Sequence, residues 1–164
     1  MIYIENNFLD LNYFKNLKNF SKSSNIRYTP RYMNPLKERN DENTYGFRQD
    51  LNEKDELCVT LRNTCLKKFK FQIEKGYCGI DKRQLTMFKP HTDIGIYNLY
   101  LMIEGGSQLN HGIGFYDNNQ LNIHIGFQEN RAVFFNSNIL HTPLVDSKIW
   151  RTTLTYFIER GSFK

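Results

Sequence analysis

One alanine (Ala132), four prolines, one tryptophan and three cysteines are all that 164 residues contain of those types. Each scarcity excludes something. No run approaches the ~18 to 20 consecutive apolar residues of a spanning helix, so no membrane span is expected. The opening Met1-Ile2-Tyr3-Ile4-Glu5-Asn6-Asn7 has no basic region followed by an apolar stretch and does not read as a secretory signal. Cys58, Cys65 and Cys78 cannot all pair, and their spacings match no zinc or redox pattern. They are expected to be buried, reduced thiols of a cytoplasmic protein. With 10 glycines, no repeats and no sustained heptad, collagen-like, low-complexity and coiled-coil classes are excluded.

What is abundant is core material and asparagine. Thirteen Phe and 10 Tyr supply a hydrophobic core sufficient for one domain, which at this length needs neither disulfides nor metal to fold. Nineteen Asn, with Lys, Ile, Tyr and Phe also frequent, point to an AT-rich genome. The net charge of +5 is unevenly placed. Residues 1–52 carry 8 basic and 6 acidic side chains, residues 53–88 carry 8 and 5, and residues 89–164 carry 6 and 6. The densest basic segment, Lys67-Lys68-Phe69-Lys70, reads as a solvated helix face; nucleic-acid binding is not indicated.

The periodicity changes midway. Phe8–Leu17 carries apolar residues at intervals of three, as in a short helix. Residues 21–56 are polar, punctuated by Pro30, Pro35 and Gly46, and read as loop with short strands. Leu57, Leu61, Cys65, Phe69 and Ile73 recur every four residues, with Leu66 widening the stripe, and predict a helix that Gly76 ends. From residue 84 the period is two. Gln84–Phe88, Tyr97–Ile103, Ile113–Tyr116, Gln120–Phe127, Arg131–Phe135 and Arg151–Glu159 predict strands, separated by Gly- and Asn-rich turns. The fold class expected is α+β, mainly β. Helical support over residues 1–83 would back a jelly-roll core over residues 84–159, within a single domain.

The chemistry concentrates in that second half. In His91-Thr92-Asp93 an extended backbone sets an imidazole and a carboxylate on one face. His141 follows the strand Arg131–Phe135 in a turn-like stretch, residues 138–143. If the roll brings the segments together, His91, Asp93 and His141 form a two-histidine, one-carboxylate face with open coordination positions, the donor set of non-haem Fe(II). Ten residues on, Arg151, Thr153 and Thr155 share one face of the last strand, while Leu154, Tyr156 and Ile158 share the other, which reads as core. An inward guanidinium needs an anion, and no neighbouring acidic residue is an evident partner. A ligand carboxylate gripped by the planar fork of Arg151 and the hydroxyl of Thr153 fits that need.

This ordered set resembles the Fe(II)- and 2-oxoglutarate-dependent dioxygenase superfamily, in its prolyl-hydroxylase-like branch. The framing segments Arg131-Ala132-Val133-Phe134-Phe135-Asn136-Ser137 and Arg151-Thr152-Thr153-Leu154-Thr155-Tyr156-Phe157 share the resemblance, which covers residues 84–159. It implies a double-stranded β-helix, Fe(II) held by His91, Asp93 and His141, and 2-oxoglutarate as cosubstrate with its far carboxylate on Arg151 and Thr153. It also implies O₂ as oxidant, hydroxylation as the reaction, and succinate and CO₂ as products. The tyrosine that many relatives carry before the first histidine is absent from Leu85-Thr86-Met87-Phe88. Tyr97, Asn98 and Tyr100 are the candidates to replace it. At 164 residues little chain is left for a lid, so the substrate site is expected to be open or completed by a partner.

Blander readings stand beside these. His91, Asp93 and His141 could be a capped turn and two surface histidines, and Arg151 a surface ion pair. His111 reads as a loop residue, His124 as an exposed or hydrogen-bonded strand residue, and Trp150, Tyr97 and Tyr100 as core aromatics. At the level of function the alternatives are a catalytically idle jelly-roll binding protein, or a cupin-type metalloenzyme that does not use 2-oxoglutarate. The substrate itself (a protein side chain, an amino acid, a nucleobase or a small metabolite) is not written in the sequence.

Overall fold

The computed structural model describes residues 1–24, 26–32, 44–84, 89–105, 111–144 and 149–164. In chain order the elements are β1 (Ile2–Glu5), α1 (Leu11–Lys22), β2 (Thr29–Tyr32), β3 (Thr44–Leu51), α2 (Glu56–Phe69) and β4 (Phe71–Arg83). They continue with β5 (Tyr97–Glu104), β6 (Gly112–Asp117), β7 (Gln120–Gly126), β8 (Ala132–Asn136), β9 (His141–Leu144) and β10 (Arg151–Phe163). Among the described residues the strands form a seven-stranded sheet in the order β1-β8-β5-β10-β4-β3-β2 and a three-stranded sheet in the order β7-β6-β9. Among the described residues every strand pairing is antiparallel, which gives the jelly roll expected from the sequence.

Two apolar layers hold it together. On the outer face of the large sheet, Phe14 and Leu17 of α1 and Cys58, Leu61, Cys65 and Phe69 of α2 pack against Ile80, Leu99, Leu101, Phe134, Leu154, Tyr156 and Ile158. Between the sheets, Ile113, Phe115 and Ile125 meet Tyr100, Met102, Val133 and Phe135. The second layer therefore draws its large-sheet members from β5 and β8. All three cysteines are buried and free, as expected. Burial pushes the Cys65 thiol up to about 12.

Helix α1 starts where Asp10 caps it, its carboxylate accepting from the amides of Asn12 (2.9 Å) and Tyr13 (3.4 Å). Asp10→Ala removes that cap and is expected to cost about 1 kcal/mol. For a chain of this size that is a fall of roughly 2–4 °C in Tm, checked by thermal denaturation followed by circular dichroism.

The first half departs from its sequence reading. Helix α2 ends at Phe69, with Lys70 in the left-handed region (φ 55°), and Ile73 and Gly76 belong to strand β4. Phe71 and Ile73 are buried with Gln72 and Glu74 exposed between them, a period of two that falls in step with the four-residue rhythm of the helix. Gly76 is a strand glycine, because a Cβ there would stand 2.2 Å from the carbonyl oxygen of Phe157. Leu66 lies outside the stripe and is exposed. The first half thus contributes four strands to the large sheet as well as two helices.

In the second half β5, β6, β7, β8 and β10 match the expected strands to within a few residues. The turn-like stretch around His141 is instead the start of β9, an edge strand that tolerates Pro143. Of the expected strand Gln84–Phe88, residues 85–88 lie outside the described residues.

Candidate metal centre

His91 is delivered to His141 by the backbone. The two residues exchange hydrogen bonds, His91 N to His141 O at 3.0 Å and His141 N to His91 O at 2.9 Å, forming an isolated antiparallel bridge. Two residues on, the amide of Asp93 donates to the carbonyl of Ser137 (3.0 Å), and that of Ile96 to Ile158 (2.8 Å). Between these anchors the chain turns at Gly95, whose φ of 109° and close approach to the Ile158 carbonyl (2.5 Å from a Cβ placed there) require glycine.

One ligand atom from each of His91, Asp93 and His141 lies within 4.8 Å of the others. His141 Nε2 is 3.0 Å from Asp93 Oδ2, and His91 Nε2 is 3.7 Å from Asp93 Oδ1. With metal–ligand bonds of about 2.1 Å, ligand atoms on adjacent corners of one ion stand about 3 Å apart. The orientation of the rings also suits a metal. His141 Nδ1 is 2.9 Å from the Ile139 carbonyl and His91 Nδ1 is 3.1 Å from that of Lys89. Donating N–H to those carbonyls leaves the Nε2 lone pairs facing the common point. Burial alone would raise the Asp93 carboxyl. When the rings are instead protonated, the hydrogen bond from His141, the charges of both imidazoles and the Asn98 amide (2.7 Å to Oδ2) outweigh it and hold the group below its ordinary range. Phe135 stands edge-on to His141, with ring centroids 4.8 Å apart, and screens it from water.

A cavity of about 80 Å³ joins this triad to Arg151, Thr153, Thr155 and Tyr100. All five residues singled out in the sequence, His91, Asp93, His141, Arg151 and Thr153, therefore line one space. Arg151 is 1% exposed. Its Nη1 donates to the carbonyls of Gly112 (2.6 Å) and Leu144 (2.8 Å), while Nε and Nη2 have no partner among the described residues. Gly105 leaves room for its stem, since a Cβ there would lie 2.9 Å from Arg151 Cγ. No described carboxylate comes within ion-pair distance of it, and burial lowers its pKa, with the neighbouring charge of Arg83 acting in the same direction. A buried cation with two guanidinium nitrogens unmet among the described residues is a candidate site for an exogenous anion.

The fourth wall was not assignable from sequence alone. Tyr100 pairs with Thr155 across β5 and β10, lines the cavity, and has a buried hydroxyl without a partner among the described residues. Of the other two candidates, Tyr97 stacks on Phe134 in the helix-side core and Asn98 hydrogen-bonds Asp93. Tyr100 also contributes to the layer between the sheets. Trp150 is 46% exposed beside Phe47, so the expectation of a core residue is overturned. His111 is a buried loop residue, and His124 is exposed on β7 with Nε2 near the His111 carbonyl. Neither belongs to the triad.

No protein-family model matches the sequence, and no curated protein matches it. Solved structures do match in three dimensions. A prolyl-4-hydroxylase of Pseudomonas putida superimposes with a TM-score of 0.68 at 15% identity, over 97% of this chain and 92% of that one. An oxidoreductase of the 2-oxoglutarate-Fe(II) oxygenase family from Burkholderia pseudomallei gives 0.66 at 9% identity, over 99% and 86%. A prolyl hydroxylase of Trichoplax adhaerens, solved with a peptide fragment of hypoxia inducible factor, gives 0.62 at 11% identity, over 96% and 83%. The chain therefore has the fold of the Fe(II)- and 2-oxoglutarate-dependent oxygenases.

Proposed function

We propose that this protein is an Fe(II)- and 2-oxoglutarate-dependent dioxygenase acting as a hydroxylase. The observation that carries this reading is the fully buried Arg151, unpaired with any described carboxylate, in the same cavity as the His91, Asp93 and His141 donor set. A cupin-type metal site accounts for the triad but gives that guanidinium nothing to do.

His91, Asp93 and His141 would hold the metal through two neutral imidazoles and one carboxylate, leaving adjacent positions open to exogenous ligands. Fe(II) held there would supply the oxidising chemistry, coupling decarboxylation of 2-oxoglutarate by O₂ to hydroxylation of the substrate. The chain's own residues set the geometry. Arg151 Nε and Nη2 would grip the far carboxylate of 2-oxoglutarate, and the hydroxyls of Thr153 and Tyr100 would add hydrogen bonds. Phe135 and Ile113 line the same space and keep water from it. The Ile139 and Lys89 carbonyls and the Asn98 amide fix the ring and carboxylate orientations.

Incubation with Fe(II), ascorbate and 2-oxoglutarate in air is expected to give succinate even without a primary substrate, at a slow uncoupled rate. Omission of Fe(II), exclusion of O₂, or the Asp93→Ala variant should each abolish it. Wild-type protein that binds metal yet forms no succinate would support the idle binding protein instead. Structural similarity to two prolyl hydroxylases, from P. putida and T. adhaerens, makes a prolyl peptide one reasonable first probe.

A further inference from the structure

Resting on the function just proposed, the space beside the metal centre says something about the substrate. Ligand sites commonly measure about 300–1,000 Å³. The metal cavity, at about 80 Å³, is too small to take cosubstrate and substrate together. A second cavity of about 490 Å³ adjoins it, the two sharing Arg83 and Phe157 in their walls. The strand register shows how they meet. Strand β10 runs between β4 and β5. On its inner face Phe157 stands opposite Asn98 of β5, whose amide holds the Asp93 carboxylate at 2.7 Å, and opposite Tyr77 of β4 on the other side. Neighbouring strands lie about 4.8 Å apart, so Tyr77 is two strand spacings, roughly 10 Å, from the residue that supports the metal ligand.

Two features of the second cavity select what fits there. The first is a flat aromatic surface. Tyr77 and Phe157 stack with ring centroids 4.8 Å apart at 22°, both line the cavity, and Tyr77 is 43% exposed. A third ring laid on such a pair gains more than the apolar area it buries, which a puckered ring of the same size does not. The second feature is a guanidinium whose charge is answered but whose hydrogen bonds are not complete. Arg48, 6% exposed, binds Asp81 at 2.7 Å and Asp50 at 2.6 Å. Its Nη2 has no partner among the described residues. The guanidinium occupies the place where Gly79 has no side chain, a Cβ there colliding with it, and lies 5.5 Å from the centre of the Phe157 ring. With two carboxylates already on it, this cation calls for a neutral acceptor such as a carbonyl oxygen and not for a further anion.

We propose that the substrate carries a flat, uncharged aromatic or heteroaromatic ring with a carbonyl on its edge, the ring stacked on Tyr77 and Phe157 and the carbonyl accepting from Arg48. The test uses simple probes on protein loaded with Mn(II) and saturating 2-oxoglutarate without O₂, read by calorimetry and ligand-observed NMR. Benzamide has the flat ring and the carbonyl. Cyclohexanecarboxamide and N-acetylprolinamide carry the carbonyl on a puckered ring, while benzoate and benzylamine keep the flat ring and add a charge. Benzamide should bind at least fivefold more tightly than any of these four controls, and Mn(II) should broaden its proton signals. Tyr77→Ala, at a partly exposed position, should weaken benzamide at least fivefold and bring it level with the puckered controls, whereas Tyr77→Phe should keep wild-type binding. A smaller preference over any control, binding without paramagnetic broadening, or unchanged affinity in Tyr77→Ala would overturn the proposal. Wild-type protein that binds 2-oxoglutarate but not benzamide would overturn it and leave the function proposed above standing. Binding of benzamide without binding of 2-oxoglutarate would sustain the ring site and overturn that function.

Discussion

Arg151→Met should weaken 2-oxoglutarate binding by more than tenfold while leaving the metal site able to bind. Truncating one partner of a buried, hydrogen-bonded charge pair costs about 2–5 kcal/mol, and at about 1.4 kcal/mol per tenfold that weakens the cosubstrate by roughly 30- to 4,000-fold. The reason is local. Arg151 is fully buried, spends Nη1 on the Gly112 and Leu144 carbonyls, and keeps Nε and Nη2 unmet among the described residues. Arg151→Lys retains a cation but loses the planar fork, and should fall between wild type and Arg151→Met. Thermal stabilisation reads all three. Ligand at about 100 times its Kd adds about 2.7 kcal/mol, a rise of roughly 5–11 °C in Tm for this chain length. That shift should be present in wild type, reduced in Arg151→Met to about a third or less, and accompanied in every case by an intact response to Mn(II). A cosubstrate shift undiminished in Arg151→Met removes this residue from the account.

The second large effect is on stability. Arg48 and Asp81 are 6% and 2% exposed and meet at 2.7 Å on the inner face of β3 and β4. Burial lowers the pKa of Arg48, but Asp81 and Asp50 more than compensate and raise it above its ordinary value. Breaking a buried pair strands its partner, at a cost of about 3–5 kcal/mol. Asp81→Asn should therefore lower Tm by roughly 6–20 °C. Asp50 binds the same guanidinium from a side chain that is 70% exposed, and Asp50→Asn should cost less than about 1 kcal/mol. Equal losses in the two variants would show that burial does not set the strength of this pair.

The sequence discloses these features unevenly, for physical reasons. Strand β10 announces itself because Leu154, Tyr156 and Ile158 in the core alternate with Arg151, Thr153 and Thr155 on the cavity, and β5 and β8 because they are apolar runs whose alternate residues feed the two buried layers. Strand β4 is hidden because Ile73 prolongs the helical rhythm of Leu61, Cys65 and Phe69, and because Gly76, needed for a close backbone approach, looks like a helix stop. Strand β9 is hidden by Pro143, which only an edge position excuses.

The same contrast holds at the site. His91-Thr92-Asp93, His141 and Arg151 are legible as residue types at a spacing, and the structure brings them to one cavity. Tyr100 is not, because the positive φ of Gly95 resets which residues of β5 face inward. The Arg48–Asp81 pair spans 33 residues and exists only through the β3–β4 register. Periodicity and motif are local quantities, whereas register and bulges belong to the folded sheet.

In the function proposed, three side chains from two segments would grip one ion, with a 2-oxoglutarate site beside it. Anaerobic titration of the protein with Fe(II) and then 2-oxoglutarate, followed by visible absorption, examines this directly. A weak charge-transfer band of the chelated ketoacid should appear in wild type at one equivalent of iron, and should be absent from His91→Ala and His141→Ala. No band in wild-type protein, or a band that persists when either histidine is removed, would contradict it.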